Sequence, residues 1–259
     1  DVFGGAANVT LAVPSRPGLF KVYNDVDKEL VNFFRVLRDP ELREKLLEKL
    51  VFTPYSRSLF EDTCLSLLPD DPVDRAWRVY VLNVQSFAGA SHQNATPGRW
   101  GYDLSRKNMK KWLNGQERLV RFAEALRDVA LECLDFAECI RRYDSPETVI
   151  YADPPYYPDA RVDNTVYSSY ELSRERHKEL AELLNSAQGM VVLSGYRCPE
   201  YDEWYAGWER REYDLACTVS HIGGTRDTKG QPRPRRTECL WLSPKLVEKL
   251  RVPVQLTLF

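Results

Sequence analysis

Strand-length apolar runs alternate with amphipathic stretches at both ends of this chain, and from Asp39 to about Glu117 the alternation stops. On the amino-terminal side, residues 1–3 read as the end of a strand, 4–12 as a glycine turn into a short helix, and 20–24 as a second strand. Asp27 is placed to cap a helix through about Leu37, because Leu30, Val31, Phe34 and Leu37 recur at helical spacing. On the other side the pattern predicts strands at 131–136 and 148–152 and a helix at 173–186. Further strands are predicted at 189–194, near 212–219 and at 237–242. The middle holds charged amphipathic helices at 41–50, roughly 57–68 and 73–87, a polar stretch from Gly89 to Asp103, and a long helix at about 106–128. Alternation on both sides of a helical block predicts an α/β sheet domain with a mostly helical insertion. A chain of 259 residues is long enough for that arrangement.

The run Thr148-Val149-Ile150-Tyr151-Ala152 reads as a buried strand, and it ends in Asp153-Pro154-Pro155-Tyr156. The prolines fix the backbone and remove two N–H donors, which leaves local carbonyls free to accept hydrogen bonds. The carboxylate adds acceptors and the tyrosine adds a flat stacking face. Such a site suits a planar ring carrying an amino group, and so points to chemistry on a nucleobase.

Ligands of open α/β sheets bind beyond the carboxyl ends of the strands, and three more predicted strand ends carry chemistry. Phe3-Gly4-Gly5-Ala6-Ala7-Asn8 has small residues that let a ligand approach backbone amides. Asn24-Asp25 places an acid about 20 residues after that turn, where it could hold a ribose hydroxyl pair. Asp135-Phe136 could meet an adenine amino group and ring. A tight turn, a helix cap and a plain strand end are the structural readings of these three. The glycine pattern of dinucleotide-binding dehydrogenases is absent.

The order FGGAAN, YNDVD, DF and DPPY resembles the Dam-like family of adenine-specific DNA methyltransferases, which use S-adenosylmethionine. Val191 to Tyr196 and Arg236 to Trp241 resemble the downstream core strands of that family, especially in phage-like members, and the likeness covers nearly the whole chain. It implies a Rossmann-like catalytic domain over 1–38 and 118–259, with a target-recognition insertion over 39–117. Phe3, Gly4, Gly5 and Ala6 would line the methionine and sugar of the cofactor, Asn24 and Asp25 the ribose end, and Asp135 with Phe136 the cofactor adenine. Asp153 would border the cofactor too. Asp153 and the Pro154 carbonyl would grip the target amine, Pro155 would hold the turn, and Tyr156 would stack on a base extruded from the duplex. Restriction–modification is one setting for such an enzyme.

No metal is needed for this chemistry, and no CxxC pair or histidine spacing predicts one; the six cysteines read as reduced thiols in a cytoplasmic protein. No cysteine stands where ring-carbon methylation of cytosine would need a nucleophile. Methylation of the exocyclic amine of cytosine is the nearest alternative. The chain opens at Asp1 without an initiator methionine. The family's glycine-lysine segment over the cofactor would precede that point, so a catalytically impaired DNA-binding remnant without this lid is the other alternative.

A net charge of −2 excludes a uniformly basic nucleic-acid binder but not a local basic groove. Arg99 with Trp100, then Arg106, Lys107, Lys110 and Lys111, form one candidate for duplex phosphates; the loop carrying Arg226, Lys229, Arg233, Arg235 and Arg236 forms another. A solvated loop is the competing reading of the second. Gln85, Ser86, His92, Gln93 and Asn94 carry side chains suited to base edges. Tyr157, Tyr167 and Tyr170 are either rim or core aromatics. The tail Gln255-Leu256-Thr257-Leu258-Phe259 resembles the peptide by which bacterial proteins dock on the sliding clamp. The protein is expected to be a monomer or weak dimer, with no membrane segment.

Overall fold

A computed structural model describes residues 1–86, 100–101, 107–158, 170–216 and 235–251. The chain is mixed α/β and divides into two compact units. One comprises Gly4–Leu134 with Thr165–Glu171 and is mostly helical; the other comprises Asp1–Phe3, Asp135–Asn164 and Leu172–Phe259 and carries the larger sheet.

In the helical unit, a short helix α1 (Asn8–Ala12) follows the glycine turn and leads to strand β1 (Lys21–Asn24). Helix α2 (Lys28–Arg38) starts where the Asp27 carboxylate accepts from Glu29 N at 2.9 Å and Leu30 N at 3.2 Å. Helices α3 (Pro40–Val51) and α5 (Pro72–Val84) both begin with an aspartate cap and a proline in the first turn. That pairing satisfies orphan amides while the proline gives up a donor that had no partner. Helix α4 (Arg57–Leu65) is capped by Ser56, and the long α6 (Lys107–Ala125) precedes strand β2 (Val129–Glu132). Strand β2 lies parallel to β1, with Lys21 opposite Val129 and Asn24 opposite Glu132.

The helical block is not separate from this strand pair. Tyr23 of β1, Phe34 and Leu37 of α2, Leu46 and Leu50 of α3, Tyr80 of α5 and Trp112 of α6 belong to one buried cluster. Burying each large apolar side chain contributes about 1.5–3 kcal/mol, so this shared core fixes the helices against the strands.

The sheet unit opens with helix α7 (Phe136–Tyr143), where the sequence pattern predicted a strand to 136. The strand instead ends at Glu132, and Asp135 caps the helix by accepting from Ala137 N at 3.0 Å. Glu138 stands three residues after the cap, a spacing that marks a helix start. Strand β3 (Val149–Ala152), helix α8 (Arg174–Ser186), strand β4 (Met190–Tyr196), helix α9 (Pro199–Trp204), strand β5 (Glu209–Ala216), strand β6 (Arg235–Leu242) and helix α10 (Pro244–Arg251) follow. The sheet order is β3-β4-β6-β5, with β3 and β4 parallel and β6 antiparallel to both its neighbours. The last hairpin thus begins at 209 rather than near 212, and α9 and α10 were not anticipated.

Side-chain alternation sorts the two faces of this sheet. Ile150, Ala152, Val191, Leu193, Cys239 and Trp241 form a core with Leu180 and Leu184 of α8 and Tyr201 of α9. Tyr151, Ser194, Tyr196 and Glu238 alternate with them along the strands. Among the described residues no helix is long and apolar enough to cross a membrane.

Candidate active site

Strands β3 and β4 end at the same edge of their sheet, and β6, running the other way, begins there. Asp153-Pro154-Pro155-Tyr156 follows directly from β3, as its sequence context predicts. Register puts Glu238 opposite Tyr196 on one side and Tyr213 on the other. The turn therefore meets a polar row rather than an apolar face. The Tyr156 ring stacks on Tyr196 with centroids 4.1 Å apart, and its hydroxyl donates to Glu238 Oε1 at 3.3 Å. Ser194 donates to the same oxygen at 3.2 Å.

Asp153 keeps an open face, yet protein crowds the rest of the group, and accessible area alone does not restore full hydration. This crowding, followed by the charge of Glu238, pushes its pKa up to about 6; a hydrogen bond from Ser194 opposes the rise. Burial and then Glu238 raise Tyr156, which stays a neutral phenol. Pro154 is buried and Pro155 half-buried, so the turn is held by packing as well as by its rings. Tyr157 points away into the core, 5.2 Å from His177 and 6.0 Å from both Tyr201 and Trp204. It is a core aromatic, not a rim residue.

Elsewhere in the sheet unit, Asp135 spends one oxygen on the α7 cap and pairs through the other with Arg176. The Arg176 guanidinium lies 4.2 Å over the Phe136 ring, and Phe3 sits 5.7 Å from that ring. Phe3, Asp135 and Phe136 are thus brought together, with Arg176 as a member that the sequence pattern did not single out.

The helical unit holds the glycine turn. Gly4 N donates to Asn24 O at 2.8 Å, and Gly5 N donates to Asp25 Oδ2 at 2.8 Å. The second oxygen of Asp25 accepts from Asp27 N at 2.8 Å. Gly4 packs flat on Tyr23, where a Cβ would stand 2.2 Å from the ring. Gly5 has φ +48°, and among the described residues nothing lies within 4 Å of where its side chain would be. Ala6 is exposed beside it, and Ala7 adopts φ 60°. Asn24 is buried, and both ends of its amide clip Leu134, at 3.1 Å and 2.9 Å. Its role is to hold the β1 end rather than to face outward. Tyr170 donates to Asp27 Oδ1 at 3.3 Å.

Of the residues expected at DNA, Lys110 is exposed on α6, Lys107 and Lys111 lie on the same helix, and Arg235 opens β6 opposite Ala216. Arg99, Arg106, Arg226, Lys229 and Arg233 lie outside the described residues, as do His92, Gln93, Asn94, Tyr167 and the tail with Gln255, Leu256, Leu258 and Phe259. Gln85 is fully buried: it accepts from Ser56 N at 3.1 Å and donates to Pro54 O at 3.0 Å. It braces α4 against α5 and is not placed to read a base. Ser86 is buried too and bridges to Trp100, which Tyr55 flanks at 5.3 Å and the Arg57 guanidinium covers at 5.1 Å.

Sequence reasoning missed Ser194 and Glu238. The signal was present: period-two alternation puts Glu238 on the face opposite Cys239 and Trp241. Together, the turn, the tyrosine pair and the carboxylates can accept hydrogens from an amine and cover a flat ring. Among the described residues no cluster of His, Cys, Asp and Glu could hold a metal ion.

Comparison with known proteins agrees with that chemistry. Residues 1–216 match the family described as D12 class N6 adenine-specific DNA methyltransferase. The DNA adenine methylase of Vibrio cholerae serotype O1, in its classical Ogawa and El Tor Inaba strains, is 23% identical over 211 residues, which cover 78% of this chain and 75% of that protein.

Proposed function

The chain belongs to the D12 class N6 adenine-specific DNA methyltransferases, and from that premise we propose that it transfers a methyl group from S-adenosylmethionine to the exocyclic amine of an adenine flipped out of DNA. DNA adenine methylation is the activity of the family; the donor, the base extrusion and the residue roles are this reading's own. The observation that carries it is a crowded yet accessible carboxylate, Asp153, at the carboxyl end of β3 beside the stacked Tyr156 and Tyr196.

The adenine amine is a weak nucleophile because its lone pair is delocalised into the ring. Asp153 and the Pro154 carbonyl accept its two hydrogens, favour a pyramidal nitrogen and offset the positive charge that develops there. Tyr156 stacks on the base and fixes its plane. Bound S-adenosylmethionine supplies an electrophilic methyl on a positively charged sulfur. Bound there, the donor would give up its methyl to the amine nitrogen and keep the S–C electron pair on sulfur, and Asp153 would take the surplus proton of the amine. Most of the remaining acceleration is alignment.

The helical unit's residues suit the donor. The open ground at Gly5 admits a ligand close to the backbone, with Gly4, Ala6 and Asn24 shaping the turn and Asp25 presenting a carboxylate. Phe3, Asp135, Phe136 and Asp153 are the sheet unit's cofactor-binding residues, with Arg176 holding Asp135. The catalytic part is a Rossmann-like domain, 1–38 and 118–259, and 39–117 is the target-recognition insertion. Parallel pairing in both sheets, with a reversed β6, supports the first assignment. Lys110 on α6 and the basic segment before β6 contact phosphates, and the last five residues dock on the bacterial sliding clamp.

The test is Asp153→Ala assayed for N6-methyladenine in DNA by mass spectrometry. Loss of a catalytic acceptor costs about 10²–10³ in rate. Turnover at the wild-type level in a folded variant would overturn the residue roles.

A further inference from the structure

Glu238 is an odd residue to find in the middle of a sheet. It is half-buried, lies opposite Tyr196 and Tyr213 across two strand pairs, and acts as a like charge on Asp153. A carboxylate placed against another carboxylate disfavours ionisation and contributes no packing that a neutral residue could not supply. Costs of this kind gather where function requires them.

Three contacts say what Glu238 does. Its Oε1 accepts from the Tyr156 hydroxyl at 3.3 Å and from Ser194 Oγ at 3.2 Å. The Ser194 hydroxyl is also within hydrogen-bond reach of the Asp153 carboxylate and the Tyr151 phenol, and its single proton goes to one acceptor at a time. Tyr196, beside Glu238 in the sheet, backs one face of the Tyr156 ring. One carboxylate thus touches the stacking ring directly and the amine acceptor through a single hydroxyl.

We propose that Glu238, acting through Ser194 and the Tyr156 hydroxyl, is a positioning residue that sets the aim of the Asp153 carboxylate and the tilt of the Tyr156 ring toward the target amine. This rests on the catalytic reading of the DPPY turn given above. Pinning the far end of the phenol leaves the ring one orientation in which to receive a base. Glu238 and Asp153 share the one Ser194 proton, so Glu238 sets how that hydroxyl is turned relative to Asp153 and with it the aim of the carboxylate. Among the described residues the ionisable groups around Asp153 are Tyr151 of β3, Tyr156 of the turn, Glu238 of β6 and, at longer range, Tyr201 of α9. Removing the charge of Glu238 therefore lowers the pKa of Asp153.

Glu238→Gln and Ser194→Ala test this in the full chain, with single-turnover methylation of duplex DNA measured across pH and melting recorded in parallel. Glu238→Gln is expected to lower the methylation rate about 10–100-fold, as for an acceptor displaced by a fraction of an ångström. The KM for S-adenosylmethionine should stay unchanged, and the acid limb of the pH–rate profile should move to lower pH. Ser194→Ala should show a similar loss of rate. Wild-type rate and acid limb in both variants overturn the proposal. So does a rate loss with an unmoved acid limb and a lowered melting temperature, which marks a structural role only. Asp153→Ala run alongside separates the two readings: if it retains turnover the catalytic assignment fails, and if it alone is inactive the fault lies with Glu238.

Discussion

Gly5 donates its backbone N–H to the Asp25 carboxylate at 2.8 Å, across 20 residues of chain. The same carboxylate accepts from Asp27 N with its other oxygen, also at 2.8 Å. One side chain therefore closes the glycine turn and shapes the approach to α2, besides the cofactor role proposed for it.

Replacing Asp25 by alanine should weaken both functions together. Hydrogen bonds to a charged group contribute about 1.5–3 kcal/mol, so urea unfolding should register a loss of that order. Calorimetric affinity for S-adenosylmethionine should fall roughly tenfold or more. A stable variant with wild-type affinity would remove Asp25 from the site.

The two glycines of the turn should respond differently to alanine. At Gly4 the new methyl meets the Tyr23 ring at 2.2 Å, an overpacking that costs about 1–3 kcal/mol. At Gly5 there is room, but φ +48° is unfavourable for alanine by about 1–2 kcal/mol. Gly4→Ala should therefore mainly lower the melting temperature. Gly5→Ala should fold and mainly weaken cofactor binding, which fluorescence or calorimetric titration can check.

With the catalytic role proposed for it, Asp153 should govern the acid limb. Its carboxyl is neutral below about 6 and then presents a proton where the amine needs an acceptor. Single-turnover rates should drop about tenfold per pH unit below that point. Stability runs the opposite way. A carboxyl raised in the folded state binds its proton more tightly there than in the unfolded chain. Its contribution favours the fold at low pH and is lost as pH rises from the ordinary aspartate range through about 6. Asp153→Asn should abolish the acid limb and flatten that slope.

Gln85→Ala should leave Ser56 N and Pro54 O without their buried partner. Each unsatisfied group costs about 1–3 kcal/mol, so the denaturation midpoint should fall. The methylated sequence, mapped by modification-sensitive sequencing, should not change.

What the residue pattern revealed was local. The Asp27 cap, the apolar spacing of α2 and the DPPY turn after β3 are each decided by neighbours in sequence, and all three were legible. Asp135 was misread because a short apolar run resembles a strand, although Asp135 and Glu138 together signal a helix start. Helices α9 and α10 each open on a proline, a start signal overlooked in segments that short. Gln85 resembles a reader of bases until its burial is known. Glu238 was illegible for a different reason: its partners Tyr156 and Ser194 are 82 and 44 residues away. Only the strand register brings them together.

Strand β6 runs backward between β4 and β5, and Ala216 pairs with Arg235 at the last rung. Both roots of the segment 217–234 are therefore tied to adjacent strands at the edge where the DPPY turn begins. Closing a loop on such a rung costs only about 0.6 kcal/mol more for each doubling of its length. By that scaling, lengthening, shortening or recharging the segment 217–234 should cost the sheet little. Its two arginines, Arg226 and Arg233, and its one lysine, Lys229, form a part that can be exchanged while the edge at the DPPY turn stays as it is.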